Sequence, residues 1–220
     1  MKLSVLIPVY NECETVRAVL ERVADVSLEK EIVIVDDGSS DGTTAVLQSL
    51  QDERYHVVYH PENRGKGAAI RTALAAATGD VIVIQDADLE YDPADFPALL
   101  GPIARGETKV VYGVRSLEHQ EFVRRLGNVF LTLVTRILFR ASLHDMETCY
   151  KMMAREVVDR FTIESSGFEL EPEITAKILK LGYGIREVPI SYTPRRERKL
   201  NPWIDGPHAL WTLVKFALRS

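Results

Sequence analysis

Short runs of β-branched and aliphatic residues alternate along the chain with stretches whose apolar positions recur every three or four residues. That alternation predicts a parallel sheet flanked by helices. Leu3 to Val9 reads as a first strand, and Val16, Val19, Leu20 and Val23 follow at helical spacing behind a capping region expected around Asn11. Glu31 to Val35 reads as the second strand. It runs into Asp36-Asp37-Gly38-Ser39-Ser40-Asp41-Gly42, a cluster of turn formers, after which Thr43 opens another helix. Val57 to Tyr59 is the third strand and Pro61 to Gly67 a loop. Ala68 to Ala77 is a helix of small residues able to pack close to a sheet, and Asp80 to Ile84 a fourth, buried strand. Lys109 to Tyr112 predicts a fifth strand. From Phe122 to Phe139 the residues Phe122, Leu126, Val129, Phe130, Leu133, Val134, Ile137 and Leu138 fall at helical spacings, fringed with arginine. A helix from about Glu171 to Leu181, a strand from Ile185 to Ile190 and a helix from about Gly206 to Leu218 complete the pattern.

Composition narrows the class. Over 220 residues, 46% hydrophobic and 27% charged positions supply the core of one soluble domain and exclude a disordered, collagen-like or disulfide-built chain. Cys13 and Cys149 lie far apart without ligand spacing, which predicts no disulfide, no structural zinc and a reducing, cytoplasmic compartment. The first apolar run is broken by Pro8 and ended by Asn11-Glu12, too short for a signal peptide. The longest later run, Val129 to Phe139, is about half of the ~20 residues that cross a bilayer, and it contains Arg136. A net charge of −5 argues against a protein that coats nucleic acid.

In open α/β sheets, ligands bind beyond the carboxyl ends of the strands. Here those ends are acidic: the first strand leads into Tyr10-Asn11-Glu12, the second into Asp36-Asp37 and the fourth into Asp86-Ala87-Asp88. Each pair alone reads more readily as a solvated strand end or a helix cap, and only the three together favour a cation site. Converging carboxylates repel unless a cation sits among them, and hard oxygen ligands one residue apart suit Mg2+ or Mn2+. Asn63-Arg64-Gly65-Lys66-Gly67-Ala68-Ala69 invites a phosphate-loop reading but lacks the Walker spacing; glycines chosen for close packing explain it as well.

The ordered set IPVYNE (7–12), VDDGSSDGT (35–43), NRGKGAA (63–69), DADLE (86–90), GVR (113–115) and EVPI (187–190) resembles family 2 glycosyltransferases with the GT-A fold. Within them it is most similar to polyprenol-phosphate sugar transferases of the dolichol-phosphate mannosyltransferase type. The resemblance implies a GT-A type, Rossmann-like open sheet, mostly parallel, with helices on both faces and amphipathic C-terminal helices. It implies one domain over 1–220, with a nucleotide-sugar-binding half (1–115) and an acceptor-binding, interfacial half (116–220). It places Pro8, Tyr10, Glu12, Asp36, Asp37, Lys66 and Ala87 around a nucleotide-sugar such as GDP-mannose or UDP-glucose. Asp86 and Asp88 match the metal and diphosphate motif, joined by Glu90 where relatives often carry glutamine. Arg115 matches a catalytic arginine, although Val114 replaces a small hydroxyl residue; Arg124 or Arg125, with Arg198 and Lys199, would meet an acceptor phosphate.

The implied reaction displaces a nucleoside diphosphate with inversion, aided by Mg2+ or Mn2+. A lipid phosphate is already anionic and needs orientation by arginine more than a base. A sugar hydroxyl acceptor is the alternative, and it would require a base such as Asp145, Glu147 or Glu169. A non-catalytic nucleotide-sugar binding module stands further off. A phosphoryl-accepting receiver domain would carry its acidic pair after the first strand, not the second. Residues 115–140 carry five arginines against two glutamates, and residues 195–220 six basic against two acidic groups. These two basic segments predict peripheral contact with the inner face of a membrane through the helix at 122–139, whereas the final helix reads equally as interface or core. His144-Asp145-Met146-Glu147-Thr148-Cys149-Tyr150-Lys151 departs in its middle from the D-x-T-G-[FY]-[KR] of the best-known mannosyl transferases, which puts sugar and acceptor choice in question.

Overall fold

The computed structural model describes residues 1–50, 52–116, 122–167, 169–195 and 202–219, without the side chains of residues 122, 124 and 202–205. Seven strands, β1 (Leu3–Val9), β2 (Lys30–Asp36), β3 (Tyr55–Tyr59), β4 (Val81–Ile84), β5 (Val110–Arg115), β6 (Lys151–Ala154) and β7 (Arg186–Ile190), form one sheet in the order β3-β2-β1-β4-β6-β5-β7. β1 pairs in parallel with β2 and β4, and β2 with β3. β6 runs antiparallel to both β4 and β5, and β5 pairs in parallel with β7. The helices are α1 (Val16–Asp25), α2 (Thr43–Gln48), α3 (Lys66–Ala76), α4 (Phe96–Ala104), α5 (Phe122–Phe139), α6 (Arg155–Val158), α7 (Leu170–Lys180) and α8 (Pro202–Leu218). β4 is buried at every position and β1 at all but one, so both faces of the central sheet are covered.

The predicted elements recur with shifted ends, and three departures have physical causes. The antiparallel β6 was not expected, because four buried residues, Lys-Met-Met-Ala, carry no alternation. Nor was α4, whose Pro97 and Pro102 obscure a helix that buries Phe96, Leu99, Leu100 and Ile103. Asn11 does not cap α1; it adopts a left-handed φ of 52° and its Oδ1 accepts the Ser40 N–H at 2.8 Å, tying the end of β1 to the loop after β2.

α5 has the predicted span, with most of its apolar stripe turned outward and a largely polar face turned inward. Asn128, Leu131, Thr132 and Thr135 are buried, whereas Leu126, Val129, Phe130, Leu133 and Ile137 stand about half or more exposed, Ile137 at 68%. Leu131 joins Met146 with Ala209 and Leu213 of α8 in a small second core. Trp211 of α8 is exposed at 68%. No helix among the described residues is long and apolar enough to cross a membrane.

Candidate active site

Register brings the acidic strand ends together. Leu6 lies opposite Ile84 and Val9 opposite Asp36, so the chain beyond β4 and the chain beyond β2 both emerge beside the end of β1. Pro8 fits there without disturbing the ladder. Leu6 O accepts Gln85 N–H and Val9 O accepts Asp37 N–H, so even-numbered residues of β1 face β4, which has already ended at the level of Pro8. A cavity of about 450 Å³ opens at this edge, where the strand order switches direction. Pro8, Tyr10 and Glu12 line it from β1, Asp37 from the loop after β2 and Lys66 from α3. Asp86, Ala87, Asp88 and Glu90 line it from β4, and Arg115 from β5. Asp36 and Arg125 do not.

Asp36 serves the loop instead, accepting Ser39 N–H at 3.1 Å and Thr44 Oγ1–H at 2.5 Å. Asp37 accepts the backbone N–H groups of Arg64 and Gly65, the latter at 2.7 Å, and pairs with buried His60 at 2.6 Å, whose other ring nitrogen meets Thr72. Gly67 N–H donates to Ser166 O at 2.9 Å. A Cβ on Gly65, which has a φ of 88°, would stand 2.2 Å from Ser166 O, and one on Gly67 2.1 Å from Ser165 O. These N–H groups therefore have protein partners, and the glycines serve close approach of the 165–167 segment, so the packing reading of NRGKGAA prevails over a phosphate cradle.

Lys66 Nζ lies 2.8 Å from both Asp86 and Glu171, and although burial works against its charge, the two carboxylates raise its pKa well above the ordinary value. Asp88 accepts Glu90 N–H at 3.1 Å; burial, then the charges of Asp86 and Glu90, push its carboxyl up to about 7. Glu90 is engaged elsewhere: its Oε2 accepts Tyr192 O–H at 3.0 Å and its Oε1 Arg195 N–H at 2.8 Å. Leu89 between them holds a left-handed φ of 62°, a strained turn that aims the flanking carboxylates. Among the described residues no three His, Cys, Asp or Glu side chains form a ready metal cage. The donor set that remains, two carboxylates one residue apart of which Asp88 makes no ion pair among the described residues, fits Mg2+ or Mn2+, which keep waters and take substrate phosphate oxygens.

Arg115 is fixed at the far side. Asp145 accepts its Nε–H and Nη2–H, each at 2.7 Å, and its backbone N–H; the Tyr91 hydroxyl Oη accepts Nη1–H at 3.2 Å, and the guanidinium stacks 5.2 Å over Tyr192. Each terminal nitrogen keeps an N–H beyond those bonds. Asn128 of α5 also donates to Asp145 at 3.2 Å, which couples the helix with the outward apolar face to this arginine. Glu147 lines the cavity too; burial and then the Glu171 charge push its carboxyl up to about 7.

Over the opening, Arg195 Nη1–H donates to Glu12 at 2.9 Å. The 195–199 cluster was expected to meet phosphates; its one described member meets carboxylates, and Arg198 and Lys199 lie outside the described residues, as does the side chain of Arg124. Arg125 is exposed on α5. Sequence reasoning gave Glu171 no place in the site. Its only signal there was an acid at the start of a helix, and the Lys66 contact spans 105 positions.

A family model described as glycosyl transferase family 2 matches residues 4–162. An undecaprenyl-phosphate mannosyltransferase from Micrococcus luteus is 30% identical, over 94% of this chain and 90% of the relative. A dolichol-phosphate mannosyltransferase from Pyrococcus furiosus is 31% identical, over 91% of this chain and 59% of the relative. Among solved structures, glucosyl-3-phosphoglycerate synthase from Mycobacterium tuberculosis in complex with Mn2+, uridine-diphosphate and phosphoglyceric acid has a TM-score of 0.80 at 23% identity, covering all (100%) of this chain and 79% of that one. That likeness is one of fold, the GT-A arrangement of a mostly parallel sheet with an antiparallel strand inserted.

Proposed function

The chain belongs to glycosyl transferase family 2, and on that premise we propose that it transfers a hexose from a nucleotide-sugar of the GDP-mannose or UDP-glucose type to a polyprenyl phosphate at a membrane surface. One juxtaposition carries this reading: Arg115 faces the acidic cavity while its partner Asp145 is held by α5, whose opposite face is apolar, exposed and flanked by exposed Arg125, Arg136 and Arg140. An outward apolar stripe with a cationic fringe is the chemistry of a helix lying in an anionic membrane interface. The names of the Micrococcus and Pyrococcus relatives, both lipid-phosphate mannosyltransferases, support the same acceptor class.

Asp86 and Asp88 would hold Mg2+ or Mn2+, which when bound supplies positive charge against the diphosphate leaving group. Pro8, Tyr10 and Glu12 line the part of the cavity assigned to base and ribose, and Asp37 fixes the loop beside them. Arg115, its plane set by Asp145, presents N–H groups to the acceptor phosphate. A phosphate oxygen attacks the anomeric carbon as the bond to the diphosphate breaks opposite it, so the centre inverts and a nucleoside diphosphate leaves. The nucleophile is already anionic, so no side chain needs to take a proton. Arg125, with Arg124, Arg198 and Lys199, would serve the lipid head group at the inner membrane face. Calorimetric titration of GDP and UDP tests the donor half. One of them binds with Mn2+ and loses its affinity in chelator; binding of neither would contradict the reading.

A further inference from the structure

Glu147 has no part in the reaction as described, yet it occupies a singular position. The backbone around it is pinned. Met146 N–H donates to Thr132 Oγ1 at 3.2 Å, Cys149 N–H to the Tyr91 hydroxyl Oη at 3.0 Å, and buried Lys151 Nζ to Met146 O at 2.7 Å and to Thr148 O. Asp145, two residues back, is locked to Arg115. Glu147 nevertheless lines the cavity, and its buried Oε1 has no hydrogen-bond partner among the described residues. A rigidly supported, unsatisfied carboxyl oxygen at a cavity wall is costly unless a ligand completes it.

The surrounding charges decide what that ligand is. Glu147 has Glu171 and Asp145 as acidic neighbours and Lys151 and Arg115 as basic ones. A further cation would face Lys151 and Arg115, and a phosphate would face Glu147 and Glu171. A neutral hydroxyl donor meets neither repulsion. Position agrees with that chemistry. Glu147 lines the same cavity as the linked set Asp86, Lys66 and Glu171 and as Arg115, the partner of Asp145. In a transfer from diphosphate to phosphate, the sugar ring must lie between the two, because its anomeric carbon is bonded to one and attacked by the other.

We propose that Glu147 reads the transferred sugar, its carboxyl accepting a hydrogen bond from one ring hydroxyl and so setting which hexose the cavity takes. This rests on the nucleotide-sugar reading of the cavity. Wild type, Glu147→Gln and Glu147→Ala are compared in Mn2+ for binding of UDP and GDP, for thermal midpoint, and for kcat/KM with polyprenyl phosphate. The donors are UDP-glucose, GDP-mannose and the versions of the accepted one lacking single hydroxyls. Nucleoside diphosphate affinity stays within about twofold in all three proteins, whereas Glu147→Ala loses about tenfold or more in kcat/KM and Glu147→Gln loses less. Deleting one particular hydroxyl harms wild type and costs Glu147→Ala nothing further at that position. The proposal is overturned if Glu147→Ala keeps wild-type rate and sugar preference, or if every deoxy donor is penalised equally in wild type and variant. It is also overturned if the variant loses diphosphate binding along with thermal stability, the mark of a structural role. If Glu147→Gln abolishes turnover while sugar preference survives, the residue is a base and not a reader. Wild type that binds no nucleoside diphosphate would refute the underlying reading of the cavity, and this proposal with it.

Discussion

Among the described residues Asp88 accepts a single backbone N–H and feels the charges of Asp86 and Glu90, so a cation held beside it would relieve that repulsion. Asp88→Ala therefore removes Mn2+-dependent nucleotide binding by more than about tenfold in a calorimetric titration, whereas Arg125→Ala keeps that binding and raises KM for the lipid acceptor. Gly67→Ala tests the packing account of the glycine loop. Its Cβ would meet Ser165 O at 2.1 Å, so chemical denaturation should show a loss of about 1–3 kcal/mol. The acids at the strand ends were legible because three short motifs share one sheet edge. What the glycines do was not, since Ser165 and Ser166 approach them from about a hundred positions away and leave no local trace.

At the scale of elements, α5 shows how a correct helix can hide its orientation. The spacing of apolar residues gave the span Phe122–Phe139, but the face turned inward is the polar one, where Asn128 and Thr132 bond Asp145 and Met146 N–H. Periodicity finds a stripe and says nothing of what covers it. Because the stripe is exposed, Leu133→Glu and Ile137→Glu change stability by no more than about 0.5 kcal/mol. They should abolish co-flotation with vesicles containing anionic lipid and leave nucleotide binding intact; vesicle binding equal to wild type would remove α5 from the membrane account. β6 was hidden for the opposite reason, four buried residues being too few to show a period.

Over the whole molecule, the net charge of −5 is the sum of acidic strand ends and two basic segments of sequence, 115–140 and 195–220. That division was legible in sequence; the coupling between its parts, Arg115 through Asp145 to Asn128, was not. The same charges shape stability against pH. Burial and the Glu171 charge raise the Glu147 carboxyl from 4.5 to about 7, so between those values the unfolded chain releases its proton first and stability falls as pH rises. Glu147→Gln should flatten thermal midpoints between pH 5 and 8, by about that one group's share, and raise the midpoint at the alkaline end. At the acid end Glu31 works in the other direction. Burial opposes its charge, but hydrogen bonds from Lys2, Ser4 and Thr78 hold it at about 2, so the stability it adds above 4.5 is lost as pH falls toward 2. The central claim, transfer of a hexose to a lipid phosphate, is tested most directly by offering radiolabelled GDP-mannose and UDP-glucose with Mn2+ to polyprenyl phosphate in vesicles and, separately, to oligosaccharide acceptors. Label entering the lipid fraction from one donor, and lost in chelator, is the predicted result; label entering only the oligosaccharides would contradict it.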